Sequence, residues 1–264
     1  MSRLPTIFIS HGSPMEALDA GRAGRAGQAW TELAAALPRP RAIVMVSAHF
    51  SAPYPVLGTT AQHDTIHDFY GFPQALYALR YNAPGEPDLA FQLAEALQAH
   101  GLPVRIDPNR GLDHGAWVPL RYMYPDADVP VVNLSIDENK GPAYHYQLGQ
   151  ALASSLADDV LLIASGSLTH NLGDFRRPHR SVPRYVTAFQ AWMQDRLKAR
   201  DIAALLDYRE QSLEGVQAHP SDEHLLPLFV ALGAAGEQSE ARVWFSEINH
   251  QILAMDVYRF ERSA

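Results

Sequence analysis

Four apolar runs dominate the chain: "TIFIS" (6–10), "RAIVMVSAH" (41–49), "VPVVNLSI" (129–136) and "DVLLIASGS" (159–167). Each is nearly continuous rather than alternating, the pattern of strands buried on both faces of a largely parallel sheet. "PVRI" (103–106) and "ARVWF" (241–245) are shorter strand candidates. Helical patterns lie between them. "AGQAWTELAAAL" (26–37) puts Trp30, Leu33 and Leu37 on one face, and "PDLAFQLAEALQAHG" (87–101) opens on Pro-Asp and closes on Gly101, a fitting start and stop. Residues 143–157, 184–199 and 221–236 follow. In the last, Ser221 or Asp222 caps, Gly233 or Gly236 terminates, and Pro227 predicts a kink or an early break. Strands alternating with helices predict an α/β fold with a mainly parallel central sheet flanked by helices.

No repeat, low-complexity tract or linker divides the sequence, so one domain is expected over residues 1–264. Residues 50–86 are rich in Pro, Gly and aromatics and too long for a plain connection, which predicts a structured loop over a site.

Histidine usage carries the chemistry. The 264 residues include 12 His and no Cys, so any transition-metal site must use imidazole and carboxylate. In an open α/β sheet, ligands collect beyond the carboxyl ends of the strands. His11 ends the first run, His49 ends the second, and His170 follows the "LLIASGS" run. That placement gathers imidazoles over one sheet edge and predicts a metal site there. His224, in the first turn expected for "SDEHLLPL", is a further candidate, with Glu223 beside it. His67 in "TIHDFYGFP" and His114 in "GLDHGAWVPL" lie in aromatic or glycine-rich loops, flanked by Asp68 and Asp113. His63, His100, His145, His179, His219 and His250 have no comparable context and read as surface or local hydrogen-bonding residues.

The net charge of −8 disfavours nucleic acid and anionic membrane as partners. The one basic stretch, "FRRPHR" (175–180), offers Arg176 and Arg177 as anchors for an anionic group. The first apolar run is too short for a signal peptide and no run approaches a membrane span, so a cytoplasmic protein is expected.

Taken together, "HGSP", "SAHF", "IHDFYGFPQALY", "DHGAWVPLRYMYPDADVPVVNLSID", "ASGSLTHNL" and "PSDEHLLPL" resemble, in order and over residues 5–235, the class III (LigB-type) extradiol aromatic ring-cleaving dioxygenases. The similarity is greatest to the 4,5-DOPA extradiol dioxygenase-like branch. The resemblance implies a single-domain α/β enzyme with a mononuclear non-haem Fe(II), which opens a DOPA-like catechol with O2 to a semialdehyde acid. By motif, His11, His49 and His224 correspond to metal ligands. His170 corresponds to an acid/base histidine that sometimes lies close enough to be a fourth ligand, and His114 to a second active-site histidine. His67, Phe69, Tyr70 and Phe72 correspond to a loop covering the substrate ring.

One departure stands out. Protocatechuate-type members complete a two-His, one-carboxylate triad with Glu, whereas this chain offers His224 with Glu223 adjacent. An imidazole-rich site tolerates Zn(II), which leaves iron and zinc both open as the native metal. A zinc-dependent hydrolase, or a metal-binding, chelatase-like protein, is the alternative reading on the same residues.

Overall fold

The computed structural model describes residues 3–18, 24–175, 177 and 180–262. Its central sheet has eight strands: β1 (Thr6–Ser10), β2 (Ala42–Ser51), β3 (Val56–Gly58), β4 (Arg105–Asp107), β5 (Val131–Ile136), β6 (Val160–Gly166), β7 (Ser239–Phe245) and β10 (Val257–Arg262). The short strands β8 (Ile248–Asn249) and β9 (Leu253–Ala254) form a separate pair. The order across the large sheet is β4-β3-β5-β2-β6-β1-β10-β7. The middle four, β5, β2, β6 and β1, are parallel. Antiparallel pairings add β3 on one side, and β10 and then β7 on the other.

The four apolar runs of the sequence are these four parallel strands. All residues of β1, β5 and β6 are buried, as two-sided coverage requires. The helix Leu226–Ala235 is buried at every position because it lies against β6 and β1 and also against the helix Pro142–Ala153. On such a helix an all-round apolar surface is what burial demands. The helices Gly24–Ala35 and His114–Met123 pack on each other, and the latter also lies on β2. No helix among the described residues is long and apolar enough to cross a membrane.

Strand register sets up the site. Ile9 and Ser47 both pair with Ser165, so the three lie on one level. His11 and His49 each stand two residues beyond it and leave the sheet at the same edge. Pairing between β2 and β5 is irregular between Val46 and Ser51, which lets the chain around His49 depart from the β5 ladder. After His11 the chain turns at once: Gly12 has φ +68. Ser13 then accepts a hydrogen bond from the Met15 N–H and Pro14 begins a short 3-10 turn, Pro14–Ala17.

Two expectations differ from the structure. The last long helix starts at Leu226, not near residue 221, and Pro227 sits in its first turn, where a missing N–H breaks nothing. His224 therefore lies in the turn before the helix. The stretch around His114 is a helix, His114–Met123, although it contains Gly115 and Pro119. Burial of eight of its ten residues and the cap supplied by Asp113, which accepts from the Ala116 N–H, outweigh those poor helix formers. The 50–86 segment is ordered as expected. It is tied down by bridges from Gln62 to Pro84, Thr65 to Leu112 and Gly85 to Val131.

The left-handed backbone at Gly12 gives a direct test. A Cβ there would lie 2.7 Å from Met255 Cε. Gly12→Ala is expected to lower the unfolding free energy by about 1–2 kcal/mol, measured by urea denaturation; an unchanged midpoint would contradict the strain.

Candidate active site

Three imidazoles meet at the sheet edge. His49 Nε2 lies 3.1 Å from His11 Nε2 and 3.3 Å from His224 Nε2. On their far sides, His11 and His224 have hydrogen bonds that fix the tautomer, and His49 faces a carboxylate. Ser165 Oγ donates its only hydrogen to the Gly115 carbonyl, so at 3.0 Å it accepts from His11 Nδ1–H. His224 Nδ1–H donates to Glu223 Oε1 at 2.9 Å, and His49 Nδ1 faces Asp68 Oδ2 at 3.3 Å. His11 and His224 are thereby left with Nε2 lone pairs, and His49 Nε2 stands between them at a separation that suits a shared cation. A hydroxyl or carboxylate behind each metal-facing imidazole is the usual arrangement at a metal site.

The protonation states agree. Burial, followed by the neighbouring histidines, holds His11 and His224 well below the ordinary imidazole value. For His49 burial and then His114 bring it to about 4, against the opposing pull of Asp113, Asp68 and Glu223. Neutral imidazole is the form that binds metal. By distance alone the potential ligands fall into His11–His49–His114 and His170–Glu223–His224, each with ligand atoms within 4.8 Å of one another. The close Nε2 contacts add a third grouping. Glu223 is occupied by His224 Nδ1–H, and His49 Nε2 touches both His11 Nε2 and His224 Nε2, so these three nitrogens stand together at the cavity.

His114 and His170 flank this set. His114 opens its helix, and Asp68 grips it twice: Oδ1 accepts the backbone N–H and Oδ2 accepts Nδ1–H, both at 2.9 Å. Burial pushes the Asp68 carboxyl up, but its bonds to His114 and the nearby His49 outweigh this and bring it to about 2. Gly115 matters because a Cβ there would come within 2.6 Å of Ser47 Oγ and 3.0 Å of His49 Cδ2. His170 follows β6, is anchored by its backbone N–H to the Ala218 carbonyl, and stacks on His224 with ring centroids 3.4 Å apart. Burial and then His219 lower it to about 3, so its resting form is a neutral proton acceptor. Glu223 Oε1 is 3.9 Å from its Nδ1, too far for a hydrogen bond.

These five histidines line a cavity of about 260 Å3 together with Gly12, Ser13, Pro14, Phe69, Phe72, Leu172, Phe175 and Leu253. That is below the ~300–1,000 Å3 usual for larger ligands, and fits a single-ring molecule. Two residues expected over the ring are elsewhere. His67 bonds the Leu79 carbonyl at 3.2 Å and packs between Phe69, Tyr77 and Trp117, supporting the wall from behind. Tyr70 is 90% exposed and does not line the cavity. Arg177 pairs with Asp174 at the surface, while Arg176 and His179 lie outside the described residues.

Sequence reasoning did not find Leu172, Phe175 and Leu253, because no apolar periodicity marks a residue as facing a cavity rather than a core. His63, His145 and His219 are buried away from the cavity, the first two with both ring nitrogens on backbone groups and His219 with its Nε2 on the Leu168 carbonyl, whereas His100 is exposed.

The depressed imidazoles give a signed pH effect. Folded His49, His170 and His219 titrate at about 4, 3 and 4, but unfolded histidine does so at about 6.5. Below that value the unfolded chain binds more protons, so stability falls as pH drops from about 6.5 toward 4. Asp68 extends the loss below that window. The metal-free protein is expected to melt at a clearly lower temperature near pH 5 than near pH 7.5; equal melting temperatures would contradict the buried neutral cluster.

Comparison with known proteins points to one family. The family profile described as the catalytic LigB subunit of aromatic ring-opening dioxygenase matches residues 5–259. A Beta vulgaris protein named 4,5-DOPA dioxygenase extradiol is 39% identical over 257 residues, covering 97% of this chain and 96% of its own. A protein of the same name from Escherichia coli K12 is 40% identical over 263 residues, 96% and 93% of the two chains. The crystal structure of an uncharacterized Escherichia coli K12 protein superposes with a TM-score of 0.82 at 33% identity, covering 97% of this chain and 99% of the other. With its histidine cluster at the carboxyl edge of a parallel sheet, the chain belongs to the LigB family of aromatic ring-opening dioxygenases.

Proposed function

We propose that residues 1–264 act as one catalytic domain that opens the ring of a DOPA-like catechol with O2, beside the two hydroxyls, to give a semialdehyde acid. The observation that carries this reading is the convergence of three imidazole nitrogens, His11, His49 and His224 Nε2, on a cavity with aromatic walls. The relatives named 4,5-DOPA dioxygenase extradiol support DOPA as the substrate type.

His11, His49 and His224 would hold a mononuclear Fe(II), with Zn(II) a competitor for the same nitrogens. When bound, the metal supplies the Lewis acidity and redox chemistry that let a catechol react with O2. The protein's own groups do the rest. His170 is a neutral acceptor positioned to take a catechol proton and return it as a general acid. His114, fixed by Asp68, presents its second nitrogen to the cavity and orients or charge-stabilises the reacting oxygens. Phe69 and Phe72 cover the ring, and Leu172, Phe175 and Leu253 keep water from a reactive product.

Anaerobic Fe(II) reconstitution followed by DOPA and O2 tests the reaction. A yellow ring-opened product with matching O2 uptake is expected; no O2 uptake with any of several catechols would overturn the assignment. Variants separate the roles. His11→Ala and His49→Ala are expected to lose the metal. His170→Ala is expected to keep it while kcat falls by about 100-fold or more. Loss of metal in His170→Ala would instead make His170 a fourth ligand.

A further inference from the structure

Asp68 is placed where one carboxylate serves two histidines of different duty. Its Oδ2 lies 2.9 Å from His114 Nδ1 and 3.3 Å from His49 Nδ1, while its Oδ1 accepts the His114 backbone N–H at 2.9 Å. The two rings it joins stand 4.0 Å apart, centroid to centroid. Asp68 is three-quarters or more buried, with 22% of its side chain exposed. The next residue, Phe69, forms part of the cavity wall.

We propose that Asp68 is a positioning residue that holds both His49 and His114 as the Nδ1–H tautomer, so that each turns an Nε2 lone pair into the cavity. The inference rests on the reading of His49 as a metal ligand and His114 as an active-site histidine. It extends that reading because a single carboxylate then sets the metal-binding face of one ring and the substrate-facing atom of the other. Asp68 accepts two hydrogens from His114 and faces His49 Nδ1 at 3.3 Å as a close charge contact, and only a carboxylate presents an acceptor to all three nitrogens. The isosteric amide cannot. In Asp68→Asn the amide oxygen is expected to take the His114 backbone N–H, which cannot give up its hydrogen, so the NH2 faces the two Nδ1 atoms and donor facing donor moves the hydrogen of at least one ring to Nε2. A hydrogen on His49 Nε2 blocks the lone pair that a metal needs.

Glu223 offers a built-in comparison. It accepts from His224 Nδ1 at 2.9 Å but stands 3.9 Å from His170 Nδ1, so it fixes one ring and leaves the other free. The structure thus assigns paired control to Asp68 alone of the two carboxylates.

Imidazole nitrogen NMR on metal-free protein tests the tautomers directly, with His49→Gln and His114→Gln variants assigning the signals. Wild type is expected to show both rings as Nδ1–H, and Asp68→Asn to show at least one as Nε2–H. Zinc titration against a competing chelator is expected to give a Kd raised about 10–100-fold in Asp68→Asn. With saturating metal, kcat for a catechol is expected to drop by a similar factor while KM stays within about threefold. Either ring found as Nε2–H in the wild type overturns the proposal, and this measurement does not depend on the variant folding. Unchanged tautomers with only a lower melting temperature in Asp68→Asn also overturn it, since a merely structural role would do that. Tautomers and zinc affinity are read without O2 or catechol. A wild-type protein that opens no ring would therefore count against the proposed reaction and leave the Asp68 result standing.

Discussion

Three imidazole Nε2 atoms converge on one point of the sheet edge, His49 lying 3.1 Å from His11 and 3.3 Å from His224, and the surrounding structure disfavours any added charge on them. A serine from β6 and a glutamate from the turn before the last long helix each take one Nδ1–H, and an aspartate from the long loop faces the third ring's Nδ1 at 3.3 Å. Burial then penalises any added proton. Three separate segments of chain therefore have to arrive together for the three nitrogens to converge, and the parallel sheet is what brings them to one level.

A second layer locks the first. Ser47 Oγ donates to Asp113 Oδ1 at 2.6 Å, and Arg110 donates both to Asp113 Oδ2 at 2.8 Å and to the His49 carbonyl at 3.2 Å. The Arg110 guanidinium also lies over the Phe50 ring at 4.3 Å. Asp113 is at the same time the cap of the helix that begins with His114. The strand carrying His49 and the helix carrying His114 thus share one buried carboxylate beneath the site, as Asp68 joins the same two histidines from above. Rigid support of this kind is what keeps reacting groups within a fraction of an ångström of their working geometry.

Much of this was legible in the sequence because strand ends are easy to read. Continuous apolar runs marked β1, β2, β5 and β6, and the histidines closing or following three of them fell where parallel strands deliver ligands. His114 was found as a residue but its helix was not, since Gly115 and Pro119 argue against helix locally and only tertiary burial restores it. Pro227 reads as a kink or an early break because nothing in the local pattern says that the helix begins one residue earlier. Strand β10 was missed because its charged positions, Arg259 and Glu261, break the apolar signal. Asp68 was visible beside His67, yet its double grip on His114 joins residues 46 apart in sequence. His67 and Tyr70 fell in the right loop but face away from the cavity, as neighbours of Phe69 and Phe72 in an irregular loop can.

The central claim is that His11, His49 and His224 together hold one metal ion through Nε2. X-ray absorption at the metal K-edge, on protein loaded anaerobically with Fe(II), tests it most directly. The account predicts one metal per chain and the outer-shell scattering of three imidazoles, falling to two in His224→Ala. More than one bound metal per chain, or two or fewer imidazoles in the unaltered protein, would contradict it.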